Sequence, residues 1–377
     1  MKSKGCLIYI IIILLAAGCI TQFIPETGET QELLIVEGLI TDQPGINTVK
    51  LSKSQSFTSK LKGVPFTGCT VEIIDDLGYE YPLTEVPPAS GTYITNSERF
   101  RGMVGRKYKL RIITNNTGTE NFTYESGFVE MLPVPPVDTL YWDKVEIKIP
   151  YRPLREGCNI YIDSHDPDNK CKFYRWDFTE TWMFQLPYRV ENRTCWISEN
   201  STIINIKNTS VLSENIVSRY PLYYISPETD RLSKRYSILL NQYSISEDEF
   251  DYWKKLEAVN ENVGSLYDIT PSFIPGNITC LEDPSQNVLG YFSVSAKTSK
   301  RFYISDTFSG LVDLYEECPS DTVGNPNSVK GLNKTVWVID TLQLGGFPVY
   351  VLTERKECAD CTVRGSNIKP SWWQDKK

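Results

Sequence analysis

From Leu33 onward, apolar and polar residues alternate in short runs separated by turn residues, about one run every ten positions. Leu34, Val36, Leu39 and Ile40 open the pattern. Val49 and Leu51 flank Lys50, Val71 and Ile73 flank Glu72, and Tyr108, Leu110 and Ile112 alternate with Lys109 and Arg111. Successive side chains on a strand point to opposite faces, so this alternation predicts sheets with one wet face. Residues 33–132 are expected to form one Greek-key β-sandwich. Pro133, Pro135 and Pro136 cannot donate to a ladder and mark its end.

A second β-rich domain is expected over 137–377, with strands at 139–149, 159–163, 173–181, 202–206, 235–243, 290–296, 302–304, 336–342 and 349–352. One helix interrupts it at about 247–263. Ser246 and Glu249 form its capping box, and Phe250, Trp253, Leu256 and Val259 make an apolar stripe expected to cover the second sandwich. The fold class is mainly β: two β-sandwich domains, the C-terminal one larger and carrying the inserted helix. The order Cys69-Thr70-Val71-Glu72-Ile73, Asp76-Leu77-Gly78, Gly91-Thr92-Tyr93 and Gly105-Arg106-Lys107-Tyr108 resembles the transthyretin-like or carboxypeptidase-regulatory modules of secreted proteins.

The first residues follow another logic. Lys2 and Lys4 precede an uncharged run from Leu7 to Leu15, then Ala16, Ala17, Gly18 and Cys19. This reads as a bacterial signal peptide over 1–18, with a lipobox that places a diacylglycerol on Cys19. An ordinary cleaved signal and a retained helix are the alternatives. Residues 19–32 hold Pro25, Gly28 and acidic groups without periodicity, and read as a lipidated tether.

Composition narrows the function. Thirty-nine Lys and Arg against 47 Asp and Glu give a net charge of −8, so no basic field exists to hold a phosphate backbone, and nucleic acid is not an expected partner. With one histidine in the chain, multi-histidine metal sites are excluded. Cys69, Cys158, Cys171, Cys195, Cys280, Cys318, Cys358 and Cys361 form an even set in a chain sent out of the cytoplasm, so all eight are disulfide candidates of unassigned pairing. The close pair Cys358 and Cys361 also admits metal and redox readings.

The segment Asp163-Ser164-His165-Asp166-Pro167-Asp168-Asn169 offers Asp163, Asp166 and Asp168 as weak oxygen ligands for calcium, although its composition is that of a turn. His165 has no nucleophile motif beside it, so no catalytic residue and no cofactor is assigned. Tyr174, Trp176, Trp182, Phe184, Tyr188 and Trp196 suit stacking on sugar or peptide, yet their alternation favours core. Arg219 to Tyr224 is the expected exposed loop platform.

The lipobox at Cys19, Glu32-Leu33-Leu34-Ile35-Val36-Glu37-Gly38, Tyr174-Arg175-Trp176, Arg235-Tyr236-Ser237-Ile238-Leu239, Tyr252-Trp253-Lys254, Val288-Leu289-Gly290-Tyr291-Phe292 and the close of the chain from Cys358 to Trp373 stand out together. In combination they resemble a Bacteroidota lipoprotein family, domain of unknown function 4249. The resemblance implies an outer-membrane lipoprotein whose partner is a TonB-dependent receptor, and it brings no catalytic residues. In that phylum Asp138-Thr139-Leu140, Asp321-Thr322-Val323 and Asp340-Thr341-Leu342 match a short O-glycosylation pattern, read here as buried strand positions. The expected function is a non-enzymatic accessory role in ligand or nutrient capture. An extracytoplasmic glycan hydrolase using two carboxylates and a surface adhesion or structural module are the alternatives.

Overall fold

A computed structural model describes residues 32–54, 63–115, 121–151, 153–262, 273–319, 321–324 and 335–375. The expected signal peptide, Cys19 and the expected tether up to residue 31 lie outside the described residues. The protein is mainly β, with two layered β units. In the first unit, Leu34–Thr41 pairs antiparallel with Thr48–Lys53, which pairs in turn with Thr92–Ile94. The facing sheet is built on Thr70–Asp75, Lys107–Ile113 and Thr123–Ser126. Val36, Ile40, Leu51, Ile73, Leu110 and Ile112 meet between the two sheets and are fully buried. Each contributes about 1.5–3 kcal/mol by leaving water.

Residues 33–132 do not complete this sandwich. Val288–Ser295 lies parallel to the opening strand in full register, from Leu34 beside Val288 to Thr41 beside Ser295. Ile278–Cys280 pairs with Thr123–Ser126 at the edge of the other sheet. Phe292, Val294 and Ile278 then enter the N-terminal core. The division at the proline cluster is corrected accordingly: the edges left after residue 132 have open hydrogen-bonding groups, and chain from beyond the helix satisfies them. Gly290 permits the close approach. Its φ is +87°, and a Cβ there would stand 2.0 Å from the Val36 carbonyl oxygen.

The second unit packs Val137–Ile147, Arg155–His165 and Ile216–Ile225 against a sheet of Thr194–Asn200, Phe173–Gln185, Arg235–Ser244 and Lys297–Ile304. The inner face of Phe173–Gln185 carries Tyr174, Trp176, Phe178, Trp182 and Phe184, so these aromatics are core. Gln242 and its neighbours form a paired polar group between the layers. Gln242 Nε2 donates to the Pro135 carbonyl at 2.8 Å and to Ser164 Oγ at 3.1 Å, while Trp176 Nε1 donates to Gln242 Oε1 at 2.8 Å.

Arg219 to Tyr224 belongs to the edge strand Ile216–Ile225, not to a loop. The irregularity in its sequence has a structural counterpart in two register shifts against Arg155–His165, one skipping Leu222 and one falling near Arg219, whose φ is +47°. Arg219 is held there by three contacts: its N–H donates to Asp163 Oδ1 at 2.6 Å, its guanidinium to Asp143 Oδ2 at 2.6 Å, and the guanidinium carbon lies 4.4 Å from the Tyr161 ring centre.

Two disulfides tie the C-terminal tail to the second unit, Cys195–Cys361 and Cys318–Cys358. The close pair Cys358 and Cys361 thus serves two different partners. Cys69, Cys158, Cys171 and Cys280 are free thiols, which corrects the expectation that all eight pair. Burial pushes the Cys69 thiol up to about 11 and Cys158 and Cys171 up to about 12, so they behave as small apolar side chains.

Candidate functional site

The helix Glu247–Asn262 starts as the sequence predicts, with the Glu249 N–H donating to Ser246 Oγ at 3.2 Å. Its carboxylate does not return to complete the capping box. Instead, Glu249 Oε1 accepts from Ser293 Oγ at 2.6 Å and from Trp253 Nε1 at 3.1 Å. The helix is thereby pinned to the strand that completes the N-terminal sandwich. Phe250 packs with Phe173, Tyr243 and Ile206 on the outer face of the C-terminal sheet, so the helix bridges both units.

Trp253 packs beside Phe250 on the same cluster, and from there the apolar stripe borders a cleft. Trp253, Leu256 and Val259 form one wall of a cleft of about 840 Å³. Leu33 and the outward residues Ile35 and Leu39 of the opening strand line it too, with Leu289 and Tyr291 beside them. The volume falls in the range of ligand pockets, and the lining is mainly apolar with a few polar groups. Among these, Arg175 is held between aromatic rings, 4.6 Å from the centre of Tyr243 and 4.9 Å from that of Trp253. Its Nε stands 4.0 Å from Glu249 Oε1, an ion pair beyond hydrogen-bond distance, and has no hydrogen-bond partner among the described residues. Burial pushes the Glu249 carboxyl up, and the Arg175 charge opposes that rise. Asp177 and Glu37 also line the cleft. Each is engaged, Asp177 by Asn241 Nδ2 at 2.7 Å and Glu37 by Lys50 at 3.6 Å.

A second cleft, about 540 Å³, lies along the edge strand, where Tyr220 to Tyr224 meet Thr202 to Asn205 and the helix residues Glu257 and Asn260. The expected platform is therefore a cleft wall. Its tyrosines do not stand on a loop, because the two bulges re-aim them without ending the strand.

The calcium candidates point to different partners. Asp166 accepts from the N–H groups of Asp168, Lys170 and Cys171 at 3.1, 2.7 and 2.7 Å, the geometry of a turn cap. Asp163 accepts from the Arg219 N–H, and Asp168 pairs with Lys170 at 3.4 Å. Among the described residues no group of three or more metal-ligating side chains is assembled. His165 Nδ1 lies 2.7 Å from Asp138 Oδ2 on the surface. Thr139, Thr322 and Thr341 are exposed on their strands, which corrects the buried reading of those three-residue motifs.

The model of the family described as Domain of unknown function (DUF4249) matches residues 20–301, most of the chain, and the protein belongs to that family. No curated protein matches the chain.

Proposed function

We propose that the protein is a non-enzymatic lipoprotein of the outer membrane, anchored through Cys19, that captures a ligand for a TonB-dependent receptor. The observation that carries this reading is the apolar cleft at the junction of the two sandwiches, where both units and the helix contribute walls. A capture role asks for a preformed concave surface with few fixed polar groups, and this cleft has that character. Its two carboxylates are held by Asn241 and Lys50, an arrangement that suits fixed recognition better than proton transfer.

The hairpin Trp337–Leu344 with Phe347–Thr353 supplies a surface for the receptor. Cross-strand pairing of Leu342 with Val349 and of Leu344 with Phe347 puts these four on one face, and Leu344 and Phe347 are 60% and 74% exposed at its tip.

Gentle detergent extraction from the native host, followed by pull-down and mass spectrometry, tests the reading. Recovery of a TonB-dependent receptor is expected, and its loss with Leu344→Glu plus Phe347→Glu at unchanged Tm. Repeated recovery of the chain alone overturns the partnership. Incorporation of an acyl-chain probe, abolished in Cys19→Ser, is the expected result for the anchor, and an unlabelled wild-type chain removes it.

A further inference from the structure

We infer that the cleft along the edge strand binds a neutral saccharide. This goes beyond the capture role proposed above and stands whether or not a receptor is the partner. The inference begins at Asn205, which lines the cleft and is 3% exposed. Its Nδ2 is buried and donates to nothing among the described residues. Buried amide donors are paired in folded proteins, so an orphan one on a cleft wall calls for an acceptor from outside the chain. Two more carboxamides, Asn159 and Asn260, and the hydroxyl of Thr202 border the same space. A carboxamide both donates and accepts, which matches the hydroxyl groups of a sugar, themselves donors and acceptors.

The apolar part of the wall fits the same ligand. Tyr224 is 41% exposed, and it lies across Gly157, where a Cβ would come within 2.5 Å of its Oη. Glycine at that position lets the ring stay close to the sheet. A sugar ring has an apolar C–H face that stacks on such an aromatic while its hydroxyls reach polar groups around it. The charge of the cleft works against anionic ligands. Among the described residues lining it none is Lys, Arg or His, and Glu257 is the charged one, so nothing there attracts phosphate or carboxylate. An extended peptide is the competing occupant, since the strand is a sheet edge. It would not need the carboxamides that cluster here.

The test uses the full chain in lauryldimethylamine oxide micelles, a detergent without sugar. The probes are neutral hexasaccharides of β-1,4-glucose, α-1,4-glucose, xylose and mannose, read by saturation-transfer difference NMR and calorimetry. Saturable binding of at least one is expected. Tyr224→Ala, an exposed change, should weaken it about tenfold at unchanged Tm, and Asn205→Leu by a similar factor. Should Asn205→Leu fail to fold, Tyr224→Ala and Asn260→Ala carry the test. The inference is overturned by the absence of saturable binding across the panel, by binding that these variants leave unchanged, or by an uncharged Thr-Val-Thr-Val-Thr-Val peptide that binds at these residues while the sugars do not.

Discussion

The two sandwiches are closed by different means. The N-terminal unit relies on backbone pairing with distant chain: Val288–Ser295 against the opening strand and Ile278–Cys280 at the opposite sheet edge. Its two cysteines, Cys69 and Cys280, stay reduced. The C-terminal unit draws its strands from nearer chain and instead ties down its tail covalently, through Cys195–Cys361 and Cys318–Cys358. Asn277 shows how closely the distant chain is specified. Its side chain donates to the Phe292 carbonyl at 2.8 Å and accepts the Phe292 N–H at 2.9 Å, extending the ladder by one imitation backbone link. A sandwich closed by hydrogen bonds is sensitive to sterics at the closing strand, and one closed by disulfides is sensitive to redox state.

The largest expected effect tests the first half of that contrast. Gly290→Val places a side chain against the Val36 carbonyl at a backbone angle that β-branched residues do not adopt. It should cost more than about 4 kcal/mol and remove the N-terminal unfolding transition in calorimetry. A variant that melts like the wild type would break the account of how this sandwich closes. The next effect is smaller. Cys195→Ser with Cys361→Ser removes a link across 166 residues and should cost about 2–4 kcal/mol by urea unfolding, confined to the C-terminal unit. Dithiothreitol, which opens Cys318–Cys358 as well, should cost the wild type at least as much, whereas Cys69→Ser should leave the response to reductant as it was.

The same contrast explains what could be read from the chain. Arg235–Ser244 and Phe173–Gln185 were legible because their alternation is local and each presents one face to a core. Val288-Leu289-Gly290-Tyr291-Phe292 showed a strand, but its partner lies some 250 residues earlier, at Leu34 to Gly38. No pattern within either segment names the other. Cysteine spacing is equally silent about pairing. Arg219 adopts a left-handed angle without glycine or asparagine to announce it, so the edge strand read as a loop. The helix stripe was legible in part: Phe250 and Trp253 pack on the second sandwich as expected, while Leu256 and Val259 line a cleft, and a stripe facing a cleft has the same periodicity as one facing a core. The candidate sites were therefore legible as residues and not as places.

The smallest expected effect lies where the chain passes from one sandwich to the other. His165 ends the strand Arg155–His165, beside the first residues of Val137–Ile147, and there the Asp138 carboxylate hydrogen-bonds its Nδ1 at 2.7 Å. That bond, with the Asp138 charge behind it, raises the imidazole above its ordinary value of 6.5, and Asp166 adds to the rise. Because the folded value is the higher one, the protonated pair stabilises the fold fully below the unfolded value. That stabilisation is lost as pH rises through the folded value. The pair is exposed, so the change in Tm should be slight. It can nevertheless be read cleanly. As the chain contains a single histidine, one imidazole signal in a proton NMR titration reports this contact alone. Asp138→Asn should move its midpoint down toward 6.5. A midpoint that stays high in Asp138→Asn would place the cause elsewhere and remove this contact from the crossing between the two units.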